Sequence, residues 1–294
     1  MRYKSPLRYP GGKAALAAYV GAIFDLNGLN DGHYAEPYAG GAGVALSLLY
    51  DERASHAHIN DLDRSVYAFW YAALHHTERL CRMVRDTPVT VDEWHRQRLV
   101  QQRKRSVSLL TLGFSTFFLN RTNRSGIIAS GGVIGGQQQS GTWGIDARYN
   151  GRELVRRLER VAEFRDRITL TQLDADDFLR QVSGVLPARG LVYLDPPYYV
   201  KGQRRLYANY YGPDDHAHIA KALASAPWPW IVSYDAAPEI LQLYRRYRCV
   251  RYALQYSATA RHTGQEAIFL APGLKAPKGA PIEPHRGRRL AAAD

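Results

Sequence analysis

Seven short runs rich in β-branched and aromatic residues recur along the 294-residue chain, and most close on an acid or a turn residue. They are HYAEPY (33–38), HAHIND (56–61), RITLTQL (167–173), GLVYLD (190–195), PWIVSYD (229–235), CVRYALQYSA (249–258) and EAIFLA (266–271). Runs of this length and make-up read as strands. Helical patterns such as GVALSLLYDER and DHAHIAKALASA separate most of them. Strand–helix alternation predicts βαβ units and a mostly parallel sheet, an α/β fold. Only a short link, HTGQ, joins the last two runs. Parallel neighbours need a long crossover, so this final pair is expected to be an antiparallel hairpin.

One block breaks the rhythm. TERLCRMVRDTP and VDEWHRQRLVQQRKR read as basic helices, SLLTLGFSTFFLN as an apolar helix and GRELVRRLERVAEF as a further helix. Between the last two lies SGIIASGGVIGGQQQSGTWGIDARYN, rich in Gly, Ser and Gln, which reads as loop or hairpin. The expected organisation is one domain formed by 1–71 and 163–271, with a mostly helical subdomain inserted at 72–162. The tail over 272–294 is Pro-, Ala- and Arg-rich with little to bury, and is expected to be disordered.

Charge narrows the partner. Lys and Arg number 39 against 27 Asp and Glu, a formal net charge of +12. A strongly basic globular protein usually meets a polyanion, nucleic acid first. Cys81 and Cys249 lie far apart without metal-like spacing, which suits a reducing cytoplasm better than a disulfide scaffold. MRYKSPLRYPGGK lacks the apolar run of a signal peptide. No segment approaches the roughly 20 apolar residues that span a bilayer. A cytoplasmic protein without a membrane partner is expected.

The first strand ends in AEPYAGGAGVAL (35–46), with Gly40, Gly41 and Gly43 where strand turns into helix. Glycines there permit a tight turn and let a ligand approach the backbone. GxxxxGK[ST] is absent, so a P-loop is not supported. The second strand ends at Asp61, about 20 residues on, where Rossmann-like folds place an acid on ribose hydroxyls. A helix N-cap is the plainer role for Asp61. Glu36 precedes the glycines and would repel a pyrophosphate, but it suits a cationic ligand. S-adenosylmethionine (AdoMet) carries an amine, a sulfonium and a ribose, and no phosphate.

LDPPYY (194–199) supplies the reacting end. Two prolines remove two backbone donors and stiffen the chain at the strand's end. The exocyclic amine of adenine or cytosine is a poor nucleophile, because its lone pair is delocalised into the ring. Accepting its two protons, one on the Asp195 carboxylate and one on the Pro196 carbonyl, would localise that lone pair on preorganised acceptors. Pro197 helps hold them, and Tyr198 offers a stacking face for a base flipped out of its duplex.

Four motifs in order carry a family resemblance: LRYPGGK (7–13), EPYAGGAG (36–43), the inserted block, and DPPY (195–198). The chain resembles the Dam-like D12 class, alpha group, of site-specific DNA adenine-N6 methyltransferases over roughly residues 5 to 271. The resemblance implies a Rossmann-like seven-stranded methyltransferase sheet with an antiparallel last hairpin and an inserted target-recognition subdomain. It implies AdoMet as cofactor, S-adenosylhomocysteine as product, no metal, and double-stranded DNA as partner. It also allows a cognate restriction endonuclease and a bacterial or phage-encoded, nucleoid-associated setting, and leaves the oligomeric state open. By the same resemblance Tyr9 and Lys13 would contact AdoMet, as would Glu36, Pro37, the Gly40–Gly43 turn, Asp61 and, at the cofactor's adenine, Asp174. Family members often carry Trp where Tyr9 stands and glycine where Ala42 stands.

In the insertion, FFLNRTNRSGI (117–127) matches the family's DNA-facing Asn-Arg loop. Asn120, Arg121, Asn123, Arg124 and Ser125 are the expected DNA contacts, since Asn and Arg read adenine and guanine edges. A polar capped turn after an apolar helix is the plainer alternative. Beyond DPPY, Lys201, Arg204 and Arg205 lie among tyrosines and read as a basic-aromatic lid or as a solvated loop. Histidines at 56–58, 75–76 and 214–218 suggest a metal, but no second ligand cluster supports one. Ser233 lacks the glycine pattern of a nucleophile elbow, so acyl transfer is not expected. Other targets compatible with the motifs are RNA adenine, cytosine N4 or a protein amide, and a non-catalytic DNA-binding homologue is the reading from another class.

Overall fold

A computed structural model describes residues 5–8, 16–199, 211–256, 262–279 and 281–282. Each expected strand is present: β1 (Gly32–Glu36), β2 (Ala54–Asn60), β3 (Ile168–Thr171), β4 (Gly190–Leu194), β5 (Trp230–Asp235), β6 (Arg248–Tyr256) and β7 (His262–Leu270). They form one sheet in the order β3-β2-β1-β4-β5-β7-β6. The β1, β2, β3, β4 and β5 pairings are parallel, and β7 runs antiparallel to both β5 and β6. Every residue of β4 and β5 is buried, which explains why GLVYL and WIVSYD read as nearly continuous apolar runs. β3, at the sheet's edge, is only half-buried.

Two sequence expectations shift. HTGQ was expected to link the final strands, yet it is the first part of β7, with His262 opposite Tyr256. Continuing the ladder satisfies its backbone groups, which a link would leave to water. The tail is docked at its start rather than disordered. Lys275 N donates to Asn27 Oδ1 at 2.8 Å, Asn27 Nδ2 donates back to Lys275 O at 2.8 Å, and Leu274 is buried.

The strand order reverses at β1, which lies between β2 and β4. In such sheets the crevice beyond the strand ends at the reversal is where ligands bind. Helices α1 (Ala17–Leu26), α2 (Gly43–Tyr50), α3 (Arg64–His75), α8 (Ala175–Ser183), α9 (Pro213–Ala224) and α10 (Pro238–Leu243) accompany the strands.

The block between β2 and β3 adds α4 (Thr77–Asp86), α5 (Val91–Gln102), α6 (Leu109–Thr122) and α7 (Gly151–Glu163), with 3-10 turns at Arg124–Gly126 and Ile145–Arg148. α6 is buried along most of its length and rests on α3. Phe69 and Phe117 stack with ring centroids 6.0 Å apart. A Cβ at Gly113 would lie 2.4 Å from the Ala68 carbonyl oxygen, so glycine is what lets these two helices touch. Ser65 Oγ donates to Gln101 Oε1, and Gln101 Nε2 donates to Ser115 Oγ and Thr116 Oγ1. This polar chain fixes α3, α5 and α6 together, and one continuous apolar core runs through sheet and helical block.

Candidate active site

The turn after β1 is built to be rigid. Gly40 sits in the left-handed region at φ +46°, where glycine has no steric penalty. Its N–H donates to Asp61 Oδ2 at 2.9 Å, and its carbonyl accepts from Trp70 Nε1 at 2.9 Å. The buried Asn60 side chain donates to the Pro37 and Leu173 carbonyls and accepts from Leu173 N and Thr171 Oγ1. Asn60 thus ties the ends of β1, β2 and β3 into one rim. Sequence reasoning passed over it, although its place beside Asp61 at a strand end was the available signal.

Asp61 caps no helix. The N-cap of α3 is Asp63, which accepts from Ser65 N. Asp61 instead accepts N–H groups from Gly40 and Asp63, each at 2.9 Å, and is buried. Burial, then the Asp63 charge, push its carboxyl up to about 7 against those two backbone hydrogen bonds. Glu36, at the end of β1, is also buried, and its Oε2 has no hydrogen-bond partner among the described residues. Burial, then the Asp195 charge, hold its carboxyl well above the usual range, the neighbouring Tyr34 hydroxyl works against them, and Asp61 adds to the shift. Three acids at or just beyond the ends of β1, β2 and β4 therefore lie close enough for Glu36 to feel the charges of the other two. An under-partnered buried carboxylate beside other acids is costly unless a cation completes the site. The donor set fits AdoMet: acids for its cationic groups and hydroxyls, beside a glycine turn.

Asp174 stands at the neighbouring strand end, where it is exposed and N-caps α8 by accepting from Asp176 N at 3.0 Å. Its charge reaches the phenols of Tyr38 and Tyr211, whose hydroxyls are 3.0 Å apart. Tyr9, Lys13, Lys201, Arg204 and Arg205 lie outside the described residues.

After β4 the chain enters Asp195-Pro196-Pro197-Tyr198. Asp195 is half-buried, Pro196 and Tyr198 are buried, and Pro197 is half-buried. Asp195 Oδ1 accepts from Ser233 Oγ at 2.8 Å, and Tyr193 Oη lies 2.8 Å from Ser233 Oγ. Two residues along β5, Asp235 Oδ1 accepts from Tyr199 N at 3.0 Å. The Tyr199 ring rests against His216, 5.3 Å between centroids, so Tyr199 belongs to the packing behind the motif. Ser233 and Asp235 were not expected here; the in-register pairing of β4 with β5 that brings them in is a tertiary fact.

Three of the five expected DNA contacts lie inside the insertion turn. Asn120, Arg121 and Asn123 are buried. Asn120 Oδ1 accepts from Arg8 N at 2.7 Å, and its Nδ2 donates to the carbonyls of Arg8 at 2.6 Å and Gly126 at 2.9 Å. Arg121 donates to the Pro6 carbonyl. Asn123 Oδ1 accepts from Trp94 Nε1 at 2.6 Å, and its Nδ2 donates to Ile127 O at 2.7 Å. These side chains are held by protein partners. Arg124 is exposed and Ser125 half-buried at φ +57°, so these two remain at the surface.

His33 Nδ1 and His58 Nε2 are 3.1 Å apart with His56 packed beside them, and burial lowers all three imidazoles, His58 to about 4. Among the described residues no cluster of His, Cys, Asp or Glu is arranged to hold a metal, and no helix is long and apolar enough to cross a membrane.

Comparison with known proteins bears on this site. A family model described as D12 class N6 adenine-specific DNA methyltransferase matches residues 9–258. No curated protein matches the chain. Among solved structures, a candidate RNA methyltransferase from Pyrococcus horikoshii aligns at TM-score 0.41 and 11% identity, over 90% of this chain and 85% of its own. An rRNA methyltransferase from Streptomyces viridochromogenes aligns at TM-score 0.32 and 13% identity, over 86% and 83%. A candidate class I AdoMet-dependent methyltransferase from Listeria monocytogenes aligns at TM-score 0.37 and 11% identity, over 90% and 62%.

Proposed function

Because the chain belongs to the family of D12 class N6 adenine-specific DNA methyltransferases, we propose that it methylates N6 of an adenine flipped out of duplex DNA at a specific site. The observation that carries the reading is the placing of Glu36, Asp61 and Asp195 at or just beyond the ends of β1, β2 and β4, where the strand order reverses, with Glu36 and Asp61 buried and Asp195 opening DPPY. When bound, AdoMet supplies an electrophilic methyl group on a sulfonium. Glu36 and Asp61 take its cationic and hydroxyl groups, Pro37 and the Gly40–Gly43 turn line its path, and Asp174 meets its adenine. Tyr9 and Lys13 are proposed as further contacts on the resemblance alone.

Asp195 and the Pro196 carbonyl accept hydrogen bonds from the two amine N–H groups of the target, which draws the nitrogen lone pair out of the ring. The prolines hold both acceptors in place, so no reorganisation is needed during the reaction. Tyr198 stacks on the flipped base, a contact worth roughly 1–3 kcal/mol that offsets part of the cost of unstacking it from the duplex. Arg124 and Ser125 face the DNA, and Lys201 and Arg204 are proposed as further DNA contacts on the sequence pattern alone, while Asn120, Arg121 and Asn123 shape the turn from inside. The net charge of +12 supports a polyanionic substrate.

Asp195→Ala is expected to abolish tritiated-methyl incorporation into duplex DNA while most AdoMet binding survives in calorimetry. Retained incorporation refutes the site. Running duplex DNA, RNA and protein extract side by side with the wild-type enzyme identifies the substrate, and preferred incorporation into RNA or protein overturns the DNA reading.

A further inference from the structure

The prolines of DPPY explain a rigid backbone but not a rigid carboxylate. The terminal torsion of an aspartate is broad and roughly two-fold, so a fixed backbone leaves the plane of the carboxyl group free to turn. In this chain a second device sets that plane. Leu194 pairs with Val232 in the parallel β4–β5 ladder, so Asp195 and Ser233 follow side by side. Ser233 Oγ donates to Asp195 Oδ1 at 2.8 Å, and Tyr193 Oη lies 2.8 Å from the same Ser233 oxygen. Ser233 and Tyr193 are both fully buried. An ionised carboxylate only accepts, which commits the serine proton to Asp195 and makes Tyr193 the donor to Ser233. The chain thus runs from Tyr193 through Ser233 to Asp195, each group orienting the next. Asp235, on the same face of β5, takes the Tyr199 N–H at 3.0 Å and secures the far end of the motif.

We propose that Ser233, backed by Tyr193, is a positioning residue for methyl transfer: it sets the Asp195 carboxylate plane so that one amine N–H of the target meets it. The idea rests on the reading of Asp195 as the amine acceptor. Ser233 touches neither substrate nor cofactor in this role, so its effect falls on the rate of the chemical step and not on binding. An active-site carboxylate misaligned by a small angle loses much of its effect, as positioning arguments for enzymes require.

The test uses the full chain with Ser233→Ala, Ser233→Thr, Tyr193→Phe and Asp195→Ala. Single-turnover methylation of duplex DNA, dissociation constants for AdoMet and for DNA, and melting temperature are measured for each. Ser233→Ala is expected to slow the single turnover roughly 10- to 100-fold, the range of one hydrogen bond to a charged group. Both dissociation constants should stay within about twofold of wild type, because uniform binding is untouched. Ser233→Thr, which keeps the hydroxyl, should restore most of the rate. Tyr193→Phe should cost roughly threefold, acting one bond further away. Wild-type turnover in Ser233→Ala with an inactive Asp195→Ala overturns this inference and leaves the site reading intact. A loss of rate accompanied by equal losses of AdoMet affinity and melting temperature, unrelieved by threonine, also overturns it. Turnover in Asp195→Ala overturns the site reading itself.

Discussion

The two polar clusters of this molecule are satisfied in opposite ways. At the C-terminal rim of the sheet, Glu36 and Asp61 are buried acids close to one another, and Glu36 Oε2 has no partner among the described residues. In the helical block, Asn120 and Asn123 are equally buried, yet each side chain is engaged with protein backbone or with Trp94. From the sequence both clusters were candidate contacts. The difference separates them: a buried group left wanting a partner marks a place for a ligand, and a buried group fully paired marks scaffold.

That contrast breaks or holds on substitution. Asn120→Ala removes three hydrogen bonds that fasten Arg8 to the turn at Gly126, and should destabilise the chain by about 3 kcal/mol in chemical denaturation. Unchanged stability with a selective loss of DNA affinity would put Asn120 back among the contacts. Glu36→Gln removes no protein partner at Oε2. It should weaken AdoMet binding roughly 30-fold, about 2 kcal/mol, while the ligand-free melting temperature stays within about 2 °C. A large drop in ligand-free stability would show that Glu36 is scaffold after all.

Titration sharpens the same point. The Asp61 carboxyl is raised to about 7 by burial and by Asp63. A raised acid binds a proton in the native state that the unfolded chain has already lost. Its contribution therefore declines as pH climbs from the ordinary carboxylate range of about 4 toward about 7. A cationic ligand favours the ionised form, so the stabilisation conferred by AdoMet should grow between pH 5.5 and pH 8. Melting curves with and without AdoMet across that range check it, and a flat increment would detach the acids from the cofactor.

The sheet was readable because its signal is local. Each strand is a short apolar run, and the parallel order with a final hairpin follows from the spacing between runs. Asp61 and Asp195 could be named because they close such runs, and Glu36 because it precedes the glycine turn. Asn60, Ser233 and Asp235 could not, since their importance comes from which strand lies alongside. The interior role of Asn120 escaped for the same reason: its partner Arg8 is 112 positions away. The start of β7 was misplaced because Thr263, Gly264 and Gln265 carry turn-like chemistry that pairing with β6 overrides.

At the surface of the helical block the effects should be smaller. Arg124 is exposed, and Arg124→Ala should weaken DNA binding several-fold, with the salt slope of log affinity shallower by about 1, as loss of one phosphate contact dictates. A change confined to one DNA sequence would instead make Arg124 a base reader, worth about 1–3 kcal/mol of discrimination.

The smallest effect belongs to backbone geometry, where the two regions look alike. Ala42, before α2, lies at φ +44°, and Ser125, in the insertion turn, lies at φ +57°. An L side chain in that region costs roughly 1–2 kcal/mol, which glycine avoids. Glycine at position 42 would also loosen the unfolded chain by about 0.4–1 kcal/mol and forfeit a buried methyl worth about 0.8 kcal/mol, since Ala42 is fully buried. The opposing contributions nearly cancel, so Ala42→Gly should change stability by no more than about 0.5 kcal/mol and leave AdoMet affinity within about twofold. A gain well beyond that, measured by denaturation, would mean that the methyl group is poorly packed and that the turn is strained for the benefit of the ligand. The rim would then differ from the insertion turn in its backbone as well as in the Glu36 oxygen that lacks a partner.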